Sequence, residues 1–275
     1  MNERPVIMVT GGSSGLGKAV TERFAHKGLP VAVVDISAQN GKCLEATFLE
    51  EGKTVRFYEA DVTDQEIAKK VASDVAKDFG RIDYLVNAAG IIRRSPSIHV
   101  SDDEIGSVLD TNLIGTVFMC QAVQPFMIKA GGGAIVNFGS MLAHYGSKNL
   151  LSYAASKGGV VQVTKCLAVD WAEYNIRVNT VSPGYIETPL SSGATIDSVF
   201  RERILSRTPQ RRFGSPDEVA SVIDFLCSQD ASFITGVDLP VDGGLLAGDP
   251  VLFPPTSSYE KEKITVGGKT DGTNT

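Results

Sequence analysis

The chain has 275 residues, with 26 Lys and Arg against 32 Asp and Glu for a formal charge of −6, and 43% hydrophobic and 21% charged residues. Such a composition excludes disordered, collagen-like and disulfide-dense proteins, and the acidic balance offers no basic face to nucleic acid or anionic lipid, so neither partner is expected. The most apolar uncharged stretch, 111–128, holds Asn112, Gln121, Gln124 and Pro125 and reads as a buried helix rather than a membrane span. The N-terminus enters a strand pattern almost at once, which leaves no room for a signal region, so a cytoplasmic location is expected. Cys43, Cys120, Cys166 and Cys227 lie far apart without metal-ligand spacing and are expected as buried free thiols, and no cluster of His, Asp and Glu asks for a metal.

Short apolar, β-branched runs predict seven strands at 6–9, 31–34, 54–58, 84–86, 134–138, 177–181 and 237–241. Helical periods separate them, as where Ile67, Val71, Val75 and Phe79 recur on one face. Thr63 with Glu66, Ser101 with Glu104, and Ser215 with Glu218 each fit a capping box, and Pro216 follows its cap. Strands joined by helices cannot be hairpins. The expected architecture is therefore α/β: a doubly wound Rossmann fold, a seven-stranded parallel sheet with helices on both faces. One catalytic domain is expected over 1–247, and the Pro- and Gly-punctuated segment 248–275 reads as an extended or partly disordered tail.

After the first strand comes Thr10-Gly11-Gly12-Ser13-Ser14-Gly15-Leu16-Gly17, opening a helix. Glycines there let the backbone turn sharply and approach a pyrophosphate, whose charge meets the free N–H groups of the helix N-terminus. The second strand ends in Asp35, placed to accept from adenosine ribose hydroxyls and to repel a 2′-phosphate. No Arg or Lys stands at Ser13, Ser14, Ile36 or Ser37 to neutralise one, so NAD is expected over NADP. Tyr153 and Lys157, four apart on one helical face, form the candidate catalytic pair, with Ser140 upstream just past a strand end. A phenol ionises near pH 10 in water, and a nearby ammonium and a cationic nicotinamide would both stabilise the phenolate. A second Tyr-x-x-x-Lys match, Tyr259 and Lys263 in the tail, has no such upstream hydroxyl.

Taken together and in order, TGGSSGLG at 10–17, Asp61-Val62, Asn87-Ala88-Ala89-Gly90, Asn112, Ser140, Tyr153-x-x-x-Lys157 and Pro183-Gly184-x-x-x-Thr188 resemble the short-chain dehydrogenase/reductase family, over about residues 5–245. The resemblance implies that Asp61 and Val62 flank the adenine, that Asn87, Ala88 and Gly90 line the cofactor cleft, and that Pro183, Gly184, Ile186 and Thr188 border the nicotinamide. It implies that Lys157 binds the nicotinamide ribose, Ser140 holds the substrate oxygen, Tyr153 exchanges the alcohol proton, and Asn112 supports a water relay. It also implies a homotetramer, through helices at about 101–130 and 150–174, and a substrate lid over 187–208 that includes Ser191, Ser192 and Gly193. The expected reaction is NAD-dependent interconversion of a secondary alcohol and a ketone. Arg93 and Arg94 are candidate carboxylate ligands, with Met141 and His144 as further candidate pocket residues. Similarity to dehydrogenases of gluconate-type sugar acids favours a sugar acid or polyol; a cyclic, terpene or steroid alcohol, or a non-catalytic nucleotide-binding regulator, is the alternative.

Overall fold

The computed structural model describes residues 4–188 and 198–250. All seven predicted strands form: β1 (Ile7–Thr10), β2 (Val31–Asp35), β3 (Val55–Glu59), β4 (Tyr84–Asn87), β5 (Gly133–Phe138), β6 (Ile176–Pro183) and β7 (Asp238–Val241). They pair in parallel in the order β3-β2-β1-β4-β5-β6-β7. Strands covered on both sides are apolar at most positions, and alternate side chains enter two cores. Ile7, Val9, Val31, Val33 and Val86 pack with helices α1 (Gly15–His26), α2 (Ala38–Glu50) and α8 (Pro216–Cys227). Met8, Ala32, Val34, Leu85 and Ile135 pack with α3 (Gln65–Phe79), α5 (Gly115–Ala130) and α6 (Leu151–Trp171). Helix α4 (Asp102–Leu109) precedes α5, and α7 (Ser198–Arg207) precedes α8. The chain leaves the β1–β2–β3 half and returns beside β1 as β4, which opens a crevice at the carboxyl ends of these strands.

Local chemistry corrects several expectations. The cap of α3 is Asp64, not Thr63: its carboxylate accepts from the Glu66 and Ile67 amides at 2.8 and 3.0 Å, while the Thr63 hydroxyl donates to Asp61 Oδ1. The Thr63 hydroxyl is turned back to Asp61, and the next residue's carboxylate takes over the cap. The buried stripe of α3 is accordingly Ala68, Val71, Ala72 and Val75, with Ile67 exposed. Ser101 caps α4, but Glu104 does not return the bond; Ser215 and Glu218 make the full reciprocal box, with Pro216 in the first turn. At the far end of α8 the Arg177 guanidinium donates to the carbonyls of Leu226, Cys227 and Ser228, where a cation meets the negative end of the helix.

The predicted helix over 111–128 is interrupted by a π turn at Asp110–Ile114, between α4 and α5. Among the described residues, Asp102–Ala130 is the one helical stretch long and apolar enough to cross a membrane. Its Met119, Cys120, Val123 and Met127 are buried in the core of the fold. Only Cys120 and Cys227 are buried thiols, each pushed up to about 12 by burial; Cys43 and Cys166 are exposed, because they fall on the outer faces of α2 and α6. Of the predicted tail, residues 251–275 lie outside the described residues, as do Ser191, Ser192 and Gly193 of the expected lid. Leu245, just before the tail, packs with Met141, Leu142 and Leu150.

Candidate active site

A cavity of about 1080 Å³ runs across the carboxyl ends of the strands, from the glycine loop past β4 and β5 to the start of α7. Its cofactor end is built by close backbone approach. A Cβ on Gly17 would fall 2.2 Å from the Gly11 carbonyl oxygen, and Gly11 itself adopts φ +62° against Ala89. Ser14, the N-cap of α1, makes no side-chain cap bond, so the first amides of α1 remain available to an anion beside the open face of Gly15. Asp35 Oδ2 accepts from the Ser13 hydroxyl and amide at 2.6 and 3.2 Å, and Oδ1 accepts from the Ser37 amide at 3.0 Å. A carboxylate has about four acceptor positions, so room remains for ribose hydroxyls. Ser14, Leu16, Ile36, Asp61, Val62, Ala88 and Gly90 line this end as well, and so does Asp110. Three carboxylates therefore border the cofactor end.

The other end carries the candidate catalytic side chains. Ser140 starts a short 3₁₀ turn, Met141–Ala143; its hydroxyl oxygen accepts from the Leu142 amide at 3.1 Å and the hydroxyl is hydrogen-bonded to the Tyr153 phenol. One helical turn on, Lys157 is 5% exposed, its Nζ 5.7 Å from the Tyr153 ring centroid and donating to the Phe138 carbonyl at 2.7 Å. Burial pushes the Tyr153 phenol above its ordinary value, while the Ser140 hydrogen bond and the Arg94 charge draw it back. Burial pushes Lys157 down to about 8. The ammonium expected to assist the phenol is thus held on a main-chain carbonyl here, and Ser140 and Arg94 do the lowering.

The two candidate arginines separate. Both are exposed, but Arg94 lines the cavity, whereas Arg93 does not and donates to the Ile92 carbonyl. Met141 lines the cavity, but His144 does not: its Nε2 lies 2.7 Å from Asp238 Oδ2, and the other Asp238 oxygen accepts from Ser182. Pro183, Gly184, Ile186 and Thr188 line the wall opposite Ser140. Asn87, expected in the cofactor cleft, and Asn112, expected to support a water relay, do not line the cavity. Asn87 is buried under the floor, donating to Asn137 Oδ1 at 2.9 Å and toward Cys120 Sγ, because its side chain turns into the α5–α6 face of the sheet. Asn112 sits in the π turn with its Oδ1 accepting from the Ile91 amide and its Nδ2 donating to the Ile91 carbonyl and to Ser156 Oγ.

Sequence reasoning missed Ser107, Asp110 and Thr111 near the cofactor end, and Tyr185, Ser147, Lys148 and Leu150 around the substrate end. Tyr185 was the most legible of these, since it falls inside the Pro183–Thr188 motif.

A family model described as enoyl-(acyl carrier protein) reductase matches residues 11–246. The 3-oxoacyl-(acyl-carrier-protein) reductase of Thermotoga maritima is 44% identical over 246 residues, covering 89% of this chain and 98% of the relative. The D-threitol dehydrogenase of Mycolicibacterium smegmatis is 41% identical over 239 residues, covering 87% and 92%. The crystal structure of a gluconate 5-dehydrogenase from Burkholderia cenocepacia, in complex with NADP and tartrate, superposes with a TM-score of 0.86 at 32% identity, covering 90% of this chain and 97% of that one. The chain belongs to the short-chain dehydrogenase/reductase family and is an NAD(P)-dependent oxidoreductase.

Proposed function

We propose that the protein uses NAD to interconvert a secondary alcohol and a ketone on a small substrate that carries a carboxylate. The observation that carries this reading is the division of charge along one cavity: among the described residues, Asp35, Asp61 and Asp110 border the cofactor end, while Arg94, Lys148 and Lys157 are the charged residues of the end that holds Ser140 and Tyr153. A 2′-phosphate beside Asp35 would meet like charge, and a substrate carboxylate beside Arg94 would meet a bidentate donor. The tartrate and the gluconate named for the Burkholderia protein are hydroxy acids of this kind; the NADP named there makes cofactor choice the first point to test.

In this reading a bound nicotinamide supplies the hydride acceptor or donor. Ser140 donates to the substrate oxygen and holds it beside Tyr153, whose phenolate takes the alcohol proton during oxidation and whose phenol returns it during reduction. Lys157, one turn from Tyr153, binds the nicotinamide ribose and keeps a positive charge under the site. Asn112 acts by position, pinning the main chain of Ile91 so that Gly90 and Arg94 keep their places in the wall. The exposed apolar side chains Ile114, Ile128, Leu151 and Val169 on α5, α6 and the π turn support association through these helices, in keeping with a homotetramer.

The test follows reduced nicotinamide with NAD and with NADP across sugar acids, polyols, cyclic alcohols, hydroxysteroids and a 3-oxoacyl thioester. Turnover of a sugar acid with NAD, abolished in Tyr153→Phe while cofactor binding persists, is the expected result. The second reading, an apolar cyclic substrate, draws on Ile92, Leu142, Leu150 and Phe200 in the cavity wall, and activity confined to such alcohols would favour it. Activity confined to the thioester with NADPH would replace both.

A further inference from the structure

We propose that Glu104 is a positioning residue that fixes the spacing between Arg94 and Tyr153. Glu104 stands in the first turn of α4, outside the cavity wall, and each of its carboxylate oxygens takes a different partner. Its Oε2 accepts from the Ser95 hydroxyl at 2.6 Å, next in sequence to Arg94, and its Oε1 accepts from the Ser152 hydroxyl at 3.4 Å, next in sequence to Tyr153. A third bond closes the frame: the Ser95 amide donates to the Asn149 carbonyl at 3.1 Å, where Asn149 holds a left-handed φ of +64° just ahead of α6.

The loop after β4 has no regular structure between Asn87 and the 3₁₀ turn at Ser97–His99, so Arg94 is held in register with α6 by these bonds on its C-terminal side and by the Asn112 clasp on Ile91 and Ser156 on its N-terminal side. Ser152 is 2% exposed and cannot exchange its partner for water freely, whereas Glu104 reaches it from a solvent-facing helix end. The carboxylate thus couples a loop on β4 to a helix after β5. A capping role alone would have turned Glu104 back to the Ser101 amide, as Glu218 turns to Ser215; Glu104 forgoes that bond. The charged groups facing Tyr153 are Arg94 and Lys157, so loosening the loop changes one of two cations near the phenol.

The substrate part of this inference rests on the reading of Arg94 as a carboxylate ligand; the coupling to Tyr153 does not. The experiment compares Glu104→Ala, Glu104→Gln and Ser152→Ala in the full chain by kcat, KM and the pH dependence of kcat/KM, with cofactor affinity measured by nicotinamide fluorescence. Glu104→Ala is expected to leave NAD affinity within twofold, raise KM for a hydroxy acid by about tenfold, and move the limb on which Tyr153 loses its proton to higher pH, since Arg94 no longer draws the phenol down. Glu104→Gln, whose amide can accept from one serine and donate to the other, is expected to restore both toward wild type. An unmoved pH limb in Glu104→Ala, or a Glu104→Gln variant as impaired as the alanine, overturns the proposal. A moved limb with no selective effect on acids keeps Glu104 in its place and removes only Arg94 as the carboxylate ligand.

Discussion

The Ser13 hydroxyl donates to Asp35 Oδ2 at 2.6 Å, tying the glycine loop to the end of β2 and aiming the carboxylate along the cofactor end of the cavity. Two segments that must present backbone amides and a ribose acceptor at fixed separation are thereby held as one unit.

Replacing Asp35 by Ser removes both the ribose acceptor and the charge that opposes a 2′-phosphate. A hydrogen bond to a charged group contributes about 1.5–3 kcal/mol, so KM for NAD should rise roughly ten- to hundredfold, while KM for NADP falls. Steady-state kinetics with the two cofactors decide it; an unchanged NAD/NADP ratio would remove Asp35 as the discriminator.

Gly17→Ala places a methyl 2.2 Å from the Gly11 carbonyl, in a loop whose other side is fixed against Ala89. Backbone cannot yield as a flexible side chain would, so a loss of about 1–3 kcal/mol in stability is expected, together with loss of cofactor binding. Thermal unfolding with and without NAD reads both: the melting temperature drops, and the rise that NAD gives the wild type disappears.

Lys157 is a stability liability that function retains. Burial lowers it from 10.5 to about 8, so between those pH values the unfolded chain holds a proton that the folded chain has released, and stability rises with pH across that window. Below about pH 8 the full cost applies, about 3 kcal/mol. Lys157→Met removes that cost but leaves the Phe138 carbonyl without its donor, a loss of about 1 kcal/mol. The variant should be inactive yet about 2 kcal/mol more stable at pH 7, with the advantage gone near pH 10.5. Urea unfolding of the ligand-free protein at the two pH values checks the sign.

The seven strands and their order of appearance were legible because a parallel strand buried on both faces must be largely apolar, as 31–34 and, apart from Asn137, 134–138 are. The glycine loop, Asp35, Ser140, Tyr153 and Lys157 were legible because each type and spacing answers a chemical need. What sequence could not separate was direction. Arg93 and Arg94 are neighbours, yet only one faces the cavity, and His144 is turned away by an aspartate on the last strand. Asn112 was legible as important, but its partners were not, because they depend on a π turn that no periodicity announces. Glu104 looked like half of a capping box and is instead shared between Ser95 and Ser152, residues distant in sequence.

The most direct test of the central claim is kcat/KM with NAD for sugar acids against the polyols that lack their carboxylate, in wild type and in Arg94→Met. Wild type should prefer the acids by about tenfold or more, the worth of one charged hydrogen-bonded contact, and the variant should turn over both at similar rates. Equal use of acids and polyols by the wild type, or a preference that survives Arg94→Met, would contradict it.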